Sequence, residues 1–300
     1  MRTSARASVP KSRSDAVPST ATPAVSAPGV SAPAIHEQTF NQNFLADVRI
    51  DHGPRQMLSR LFLRGDTMLR ERGINLSFVP IEVLTEVNRQ NTDSWPPLFA
   101  VFNPELGAIN DKNSFALVGR NASGKVIAAQ AARFYDVGNR TFREETESLS
   151  LYYADPDRQR LPGESCTISA PSAETIAGQF IYSGAVWYHP EYRKQGLTSI
   201  LPRITKAVSL TKWGSDVTLS FMVDKVVAGG TAQRAGYKHV EWEVLLRNSL
   251  FGDARLALIW SNADELVDYF SGLLTPAEAE VDPVVDKRPA HDNPASVAQR

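Results

Sequence analysis

The passage between residues 179 and 227 limits the fold more than any other part of the chain. Residues 179–188 (QFIYSGAVWY) have strand-forming composition, and residues 189–196 make a polar, basic loop. Residues 197–212 then carry a helical repeat, with Ile200, Leu201, Ile204 and Val208 facing one way, and residues 217–227 (VTLSFMVDKVV) are strand-like again. Helices and strands alternate here, whereas antiparallel hairpins stand toward both ends. Each element has one apolar side to bury, so the combination predicts an α/β fold of the mixed kind, a central mixed β-sheet covered by helices.

Upstream, residues 54–72 read as a helix opened by Pro54 and closed by Gly73, with Met57, Leu58, Leu61, Phe62, Met68 and Leu69 mostly on one face. Residues 75–79 (NLSFV) are strand-like, and Pro80 opens a second helix whose Ile81, Leu84 and Val87 share a side. The clearest hairpin joins residues 114–120 to 125–135 through Asn121, Ala122, Ser123 and Gly124. A long connection follows at residues 136–177, and a connection of that length is as a rule functional or disordered. Downstream, residues 230–235 form a small helix, and residues 238–246 and 255–260 form two more strands. Asn262 and Glu265 then open a last helix in capping-box fashion.

The folded part is therefore residues 40–274, with an insertion at 136–177. Residues 1–39 and 275–300 read as disordered tails. Prolines stand at 10, 18, 23, 28 and 33 in the first and at 276, 283, 289 and 294 in the second. Proline at that spacing excludes helix, and too little apolar bulk is present to offset the entropy of ordering. No apolar segment follows the early basic residues, so the first tail is a poor secretory signal. Its Arg- and Ser-rich, nearly acid-free composition also fits an organelle transit peptide.

Composition narrows the function. With 42% hydrophobic residues the chain can build a sizeable core unaided by disulfide or metal. A formal net charge of −1 gives no general pull toward nucleic acid or an anionic membrane, so any anion site must be local. Cys166 is the single cysteine, which excludes an internal disulfide and makes the reducing cytoplasm the natural setting. The apolar runs fall far short of the roughly 20 residues that span a membrane.

The chemistry concentrates in the stretch from Val186 to Thr198, where a strand delivers the chain to a basic, glycine-containing turn and a helix departs at once. Free backbone N–H groups converge at such a helix start, and Arg193 and Lys194 add local positive charge, so the turn suits a phosphate. Gly196 permits close backbone approach. Arg193, Gly196 and Thr198 here resemble the Q/R-x-x-G-x-G/A signature of the GNAT acetyltransferase superfamily, with Pro190 three residues before the Arg. Thr198 departs from the usual Gly or Ala. The hairpin upstream and the Ala235, Gly236, Tyr237 trio downstream occur in the family's order, so the resemblance covers residues 49–260.

The resemblance implies a splayed central sheet and acetyl-CoA, or another acyl-CoA, as co-substrate. The cofactor would lie along Val186, Trp187, Tyr188, Arg193, Lys194, Gln195, Gly196, Leu197 and Thr198. A backbone N–H near Trp187 or Tyr188 would polarise the thioester carbonyl. Where the family usually carries a proton-donating tyrosine, this chain has Ala232, and Tyr237 is expected to pack in the core. His189, at the end of the strand, is the first candidate for general base because imidazole takes up a proton near neutral pH. Asp224 and Glu174 are the other candidates. A solvent-facing or capping role is open to all three. The resulting expectation is an N-acyltransferase acting on a small-molecule or peptide amine, with no nucleic-acid, membrane or metal partner. The alternative is a non-catalytic acyl-CoA-binding sensor or interaction module of the same fold.

Overall fold

A computed structural model of the protein describes residues 43–275. The expected tails, apart from Thr275, lie outside the described residues. The helices and strands run in the order α1 (Phe44–Asp47), α2 (Arg55–Arg70), β1 (Asn75–Val79), α3 (Ile81–Arg89), β2 (Ser114–Arg120), β3 (Val126–Thr141), α4 (Phe142–Glu147), α5 (Pro156–Gln159) and β4 (Ser165–Ile168). They continue with β5 (Ala177–Tyr188), α6 (Leu201–Trp213), β6 (Val217–Val223), α7 (Asp224–Ala228), α8 (Thr231–Arg234), β7 (His239–Ser249), β8 (Gly252–Asn262) and α9 (Ala263–Leu274).

The strands form one eight-stranded sheet in the order β1-β2-β3-β5-β6-β8-β7-β4. Every neighbouring pair is antiparallel except β5 and β6, which are parallel and joined through α6. The sheet is thus mixed, as the alternation of elements predicts.

Helices α1, α2, α6 and α9 contribute to one apolar cluster, which holds Phe44, Leu58, Phe62, Leu117, Ile181, Ile204 and Phe270. A second cluster is built from α3, α4 and residues 95–109 and holds Leu84, Trp95, Phe102, Phe142, Phe180 and Leu258. Both include side chains of β2, β3 and β5, so the middle of the sheet is buried on both faces. The contact of α2 with α6 requires a glycine: a Cβ on Gly65 would stand 2.8 Å from Ile204 Cδ1.

Several element boundaries differ from the sequence expectation: β7 runs to Ser249 and β8 starts from Gly252, well beyond 246 and 255, and three other differences bear on the site. β3 runs on to Thr141, so residues 136–141 belong to the sheet. Thr141 then caps α4 in a capping box with Glu144. The strand expected over residues 217–227 stops at Val223, and α7 begins with Asp224. The helix expected at residues 197–212 begins with a 3-10 turn at Leu197–Ser199, breaks at Ile200 and becomes α-helical at Leu201. Pro202 lies in that first α-helical turn, where its missing N–H has no intrahelical partner to lose. No helix among the described residues is long and apolar enough to cross a membrane.

Candidate active site

β5 and β6 pair only at Ile181 with Thr218 and Tyr182 with Leu219. Beyond that point they separate, and the cause lies on the other edge of β5. Ala131 of β3 pairs with Gly184, but Ala129 pairs with Trp187, so β5 carries one residue more than its partner over this stretch. Ala185 takes the strain, at φ 51°. A bulge of this kind bends its strand and frees a backbone group from the ladder. Trp187 and Tyr188 remain in register with Ala129 and Ala128. The place to look for a free N–H is therefore Ala185–Val186, slightly upstream of the expected Trp187 or Tyr188.

The vertex of the splay is polar on one face. Ser183 of β5 and Ser220 of β6 face the hydroxyl of the buried Tyr237. Gln130 of β3 donates to Ser183 Oγ at 3.2 Å. Lys206, fully buried on α6, holds its Nζ 3.9 Å from the centre of the Tyr237 ring, and that Nζ has no hydrogen-bond partner. Burial, with Arg203 nearby, lowers its pKa to about 7. The Phe221 N–H donates to the Tyr182 hydroxyl at 3.2 Å, and Ser220 also reaches that hydroxyl.

The turn after β5 leaves a row of donors open. The N–H groups of Tyr192, Arg193, Ser199 and Ile200 are bonded to carbonyls. Among the described residues, none accepts from the five consecutive N–H groups of Lys194, Gln195, Gly196, Leu197 and Thr198. Lys194 (φ 65°) and Gly196 (φ 76°) both adopt left-handed backbone, the conformation that curls successive N–H groups into an anion-binding concavity. The first turn of α6 follows directly.

Arg193 does not point into this cradle. Its Nε donates to the Tyr188 carbonyl at 3.1 Å and its guanidinium also reaches the Ser94 carbonyl at 3.1 Å, bracing the turn. Arg72 brings positive charge to the cradle: it donates to the Gln195 carbonyl at 3.0 Å and reaches toward Gly196. Tyr188 also braces the turn by donating to the Leu197 carbonyl at 3.3 Å. Trp187 stacks on Trp95 with ring centres 5.3 Å apart and donates to Ser94 Oγ.

The three side chains expected to supply a base are not brought together. His189 stands at the end of β5 with Nε2 2.9 Å from Lys125 Nζ and Nδ1 3.5 Å from the Glu191 carboxylate. Nε2 faces the Lys125 ammonium and Nδ1 accepts from the Glu191 N–H at 3.4 Å, so both ring nitrogens are engaged and the histidine caps the 3-10 turn that follows. Asp224 is exposed at the far end of β6 and lies 3.5 Å from Arg255. Glu174 pairs with Arg143 before the start of β5, the whole strand away from His189, a span of roughly 36 Å. Cys166 is no nucleophile here, since burial pushes its thiol up to about 11.

Sequence reasoning did not find Arg72, Gln130 or Lys206. Arg72 stands just past the end of α2, 123 positions from the turn it reaches, so no local pattern points to it. Lys206 sits in a helix whose polar residues Thr205, Ser209 and Thr211 are also buried, because α6 is covered on nearly every side. One charge in an otherwise small or apolar run was the available signal.

No protein-family model and no curated protein matches the chain by sequence. Among solved structures the fold is similar to a spermidine N-acetyltransferase from Vibrio cholerae, at 9% identity over 66% of this chain and 98% of that one, with a TM-score of 0.40. It is also similar to NAA60 from Arabidopsis thaliana in complex with acetyl-CoA, at 12% identity over 63% and 99% of the two chains, with a TM-score of 0.38.

Proposed function

We propose that the protein transfers an acetyl group from acetyl-CoA to an amine. The observation that carries this reading is a conjunction. A parallel strand pair splays apart through a bulge, and the bulged strand ends in a turn with five consecutive unbonded N–H groups. The Lys194–Thr198 cradle, with Arg72 and the start of α6, would hold the pyrophosphate. The bulged edge of β5 would take the pantetheine, and an N–H released at Ala185 or Val186 would meet the thioester carbonyl. An oxyanion that forms there gains most from donors already fixed in place.

In the transfer the amine nitrogen forms a bond to the acyl carbon while the carbon–sulfur bond breaks. The thiolate takes a proton and the nitrogen loses one. A thiol near the ordinary pKa of about 8.5 leaves with little help, whereas an alkyl ammonium near 10.4 must first be deprotonated. The buried Ala232 supplies no acid, so the base matters more. Of the three candidates His189 stands at the turn end of β5, and it is the base in this reading once Lys125 releases Nε2. The test is release of free thiol from acetyl-CoA against a panel of amines, with products identified by mass spectrometry. Thiol release that ignores the added amine, or none at all, would sink the proposal.

A further inference from the structure

A cavity of about 340 Å³ opens between the separated ends of β5 and β6. Its wall is made largely of Phe99, Phe102, Phe221, Phe251, Leu246 and Leu256, and no lining residue is charged. The polar side chains in the wall are those of Tyr182, whose hydroxyl accepts from the Phe221 N–H, and Ser220 at the splay vertex.

The rim has the same character. Five large apolar side chains are exposed among the described residues, and four of them belong to elements around this opening. Val223, 46% exposed, lines the cavity itself. Val186 (45%) and Leu250 (52%) each stand one position from a lining residue, and Val226 (38%) follows on α7. The two carboxylates that stand one position from a lining residue, Asp224 and Asp253, are paired with Arg255 and Arg247. An apolar hollow of this size with an exposed valine at its mouth has the character of a binding site.

From this lining we infer that the acceptor is a monoamine carried on an aromatic or branched hydrocarbon body, and that linear polyamines are excluded. The inference rests on the acyl-transfer reading for its chemistry, since the cavity adjoins the splay where the thioester would lie. A second ammonium inside it would meet no carboxylate and would forfeit its hydration without return. A single amine has the Ser220 and Tyr182 oxygens to receive its N–H. The surrounding rings favour its neutral form for the same reason that burial holds Lys206 near 7.

Direct binding to the full chain, without acetyl-CoA, tests this separately from catalysis. Calorimetric titration with 2-phenylethylamine is expected to show binding at least tenfold tighter than with 1,4-diaminobutane. Ala254, a half-buried residue of β8 in the cavity wall, provides the variants. Ala254→Phe fills the hollow and should weaken phenylethylamine at least tenfold while leaving CoA binding at the Lys194–Thr198 turn unchanged. Ala254→Asp should narrow or invert the preference between the two amines. Equal affinity for both amines, or phenylethylamine binding indifferent to Ala254→Phe, would overturn the inference. So would a cavity that instead governs acyl length, with Ala254→Phe abolishing use of hexanoyl-CoA but sparing every amine. Tight, Ala254-dependent amine binding without amine-dependent thiol release would leave the pocket assignment standing and remove the transferase reading.

Discussion

Gly196 combines two demands that can be separated by substitution. Its φ of 76° is left-handed, and the space where a Cβ would point is nearly open, with Arg72 at 4.0 Å. Gly196→Ala therefore pays only for backbone conformation, about 1–2 kcal/mol, which lowers the melting temperature by a few degrees in a domain of this size. Gly196→Glu adds a carboxylate beside five open N–H groups. It should weaken CoA more than tenfold in calorimetry, with Gly196→Ala much nearer wild type; equal affinity for all three proteins would remove the turn from the site. His189 is testable the same way. His189→Ala should cost 10²–10⁴ in turnover if the ring is the general base. Lys125→Met should raise turnover, because it frees Nε2, now 2.9 Å from the ammonium. A slower Lys125→Met enzyme beside an unimpaired His189→Ala one would return the histidine to a capping role. A glycine turn between strand and helix was readable from its residues, but the contacts of its side chains were not. Arg193 was expected to add charge to the cradle, yet its reach to Ser94 rests on a contact 99 residues away in sequence.

The same limit operates on whole elements. Strands β1 and β2, helix α3 and the Asn262 capping box carry their pattern locally and lie where the periodicity places them. β4 does not. Its four residues, SCTI, are too few to show a period, and it is a strand because it pairs with Val244–Arg247 of β7 some 80 positions later, as the register shows. This gives the connection at residues 136–177 a different weight. It supplies the sheet's edge strand and buries Phe142, Leu151, Tyr152, Tyr153, Ile168 and Ile176 in the larger core cluster. Replacing residues 142–176 with a Gly/Ser linker is therefore expected to abolish cooperative unfolding, since each of these large side chains is worth about 2–5 kcal/mol on truncation. A linker variant that melts like wild type would show the segment to be dispensable cover. The bulge in β5 allows a gentler test. Deleting Ala185 restores equal residue counts between the Gly184 and Trp187 pairings and removes a positive φ. β5 should then continue along β6, leaving circular dichroism and melting temperature intact while acyl transfer is lost. Retained transfer in the deletion variant would dissociate the splay from function.

At the scale of the whole molecule, two apolar clusters clamp a sheet whose centre contains a charge. Lys206 is fully buried beneath the Tyr237 ring, with Ser183 and Ser220 facing that tyrosine and Arg203 adding repulsion from its own helix. Its folded pKa is lowered from 10.5 to about 7. Between those values the unfolded chain binds a proton that the native protein does not, so this residue makes stability fall as pH drops from 10.5 toward 7. Below about 7 both states are protonated and its cost becomes constant; above 10.5 both are neutral and the cost vanishes. The slope it contributes approaches about 1.4 kcal/mol per pH unit within that window. Lys206→Met fills similar volume without the amine and should stabilise the protein, by most below pH 7 and by progressively less as the pH rises. Denaturant unfolding of both proteins at pH 6, 8 and 10 measures the difference directly and cancels groups common to the two, including the buried tyrosines whose burial pushes them upward. A stability difference that stays flat across that range would mean that Lys206 stays protonated in the folded protein. A difference that is flat up to pH 10 and grows only above about 10.5 would require a partner that holds the charge in the core beside the splay.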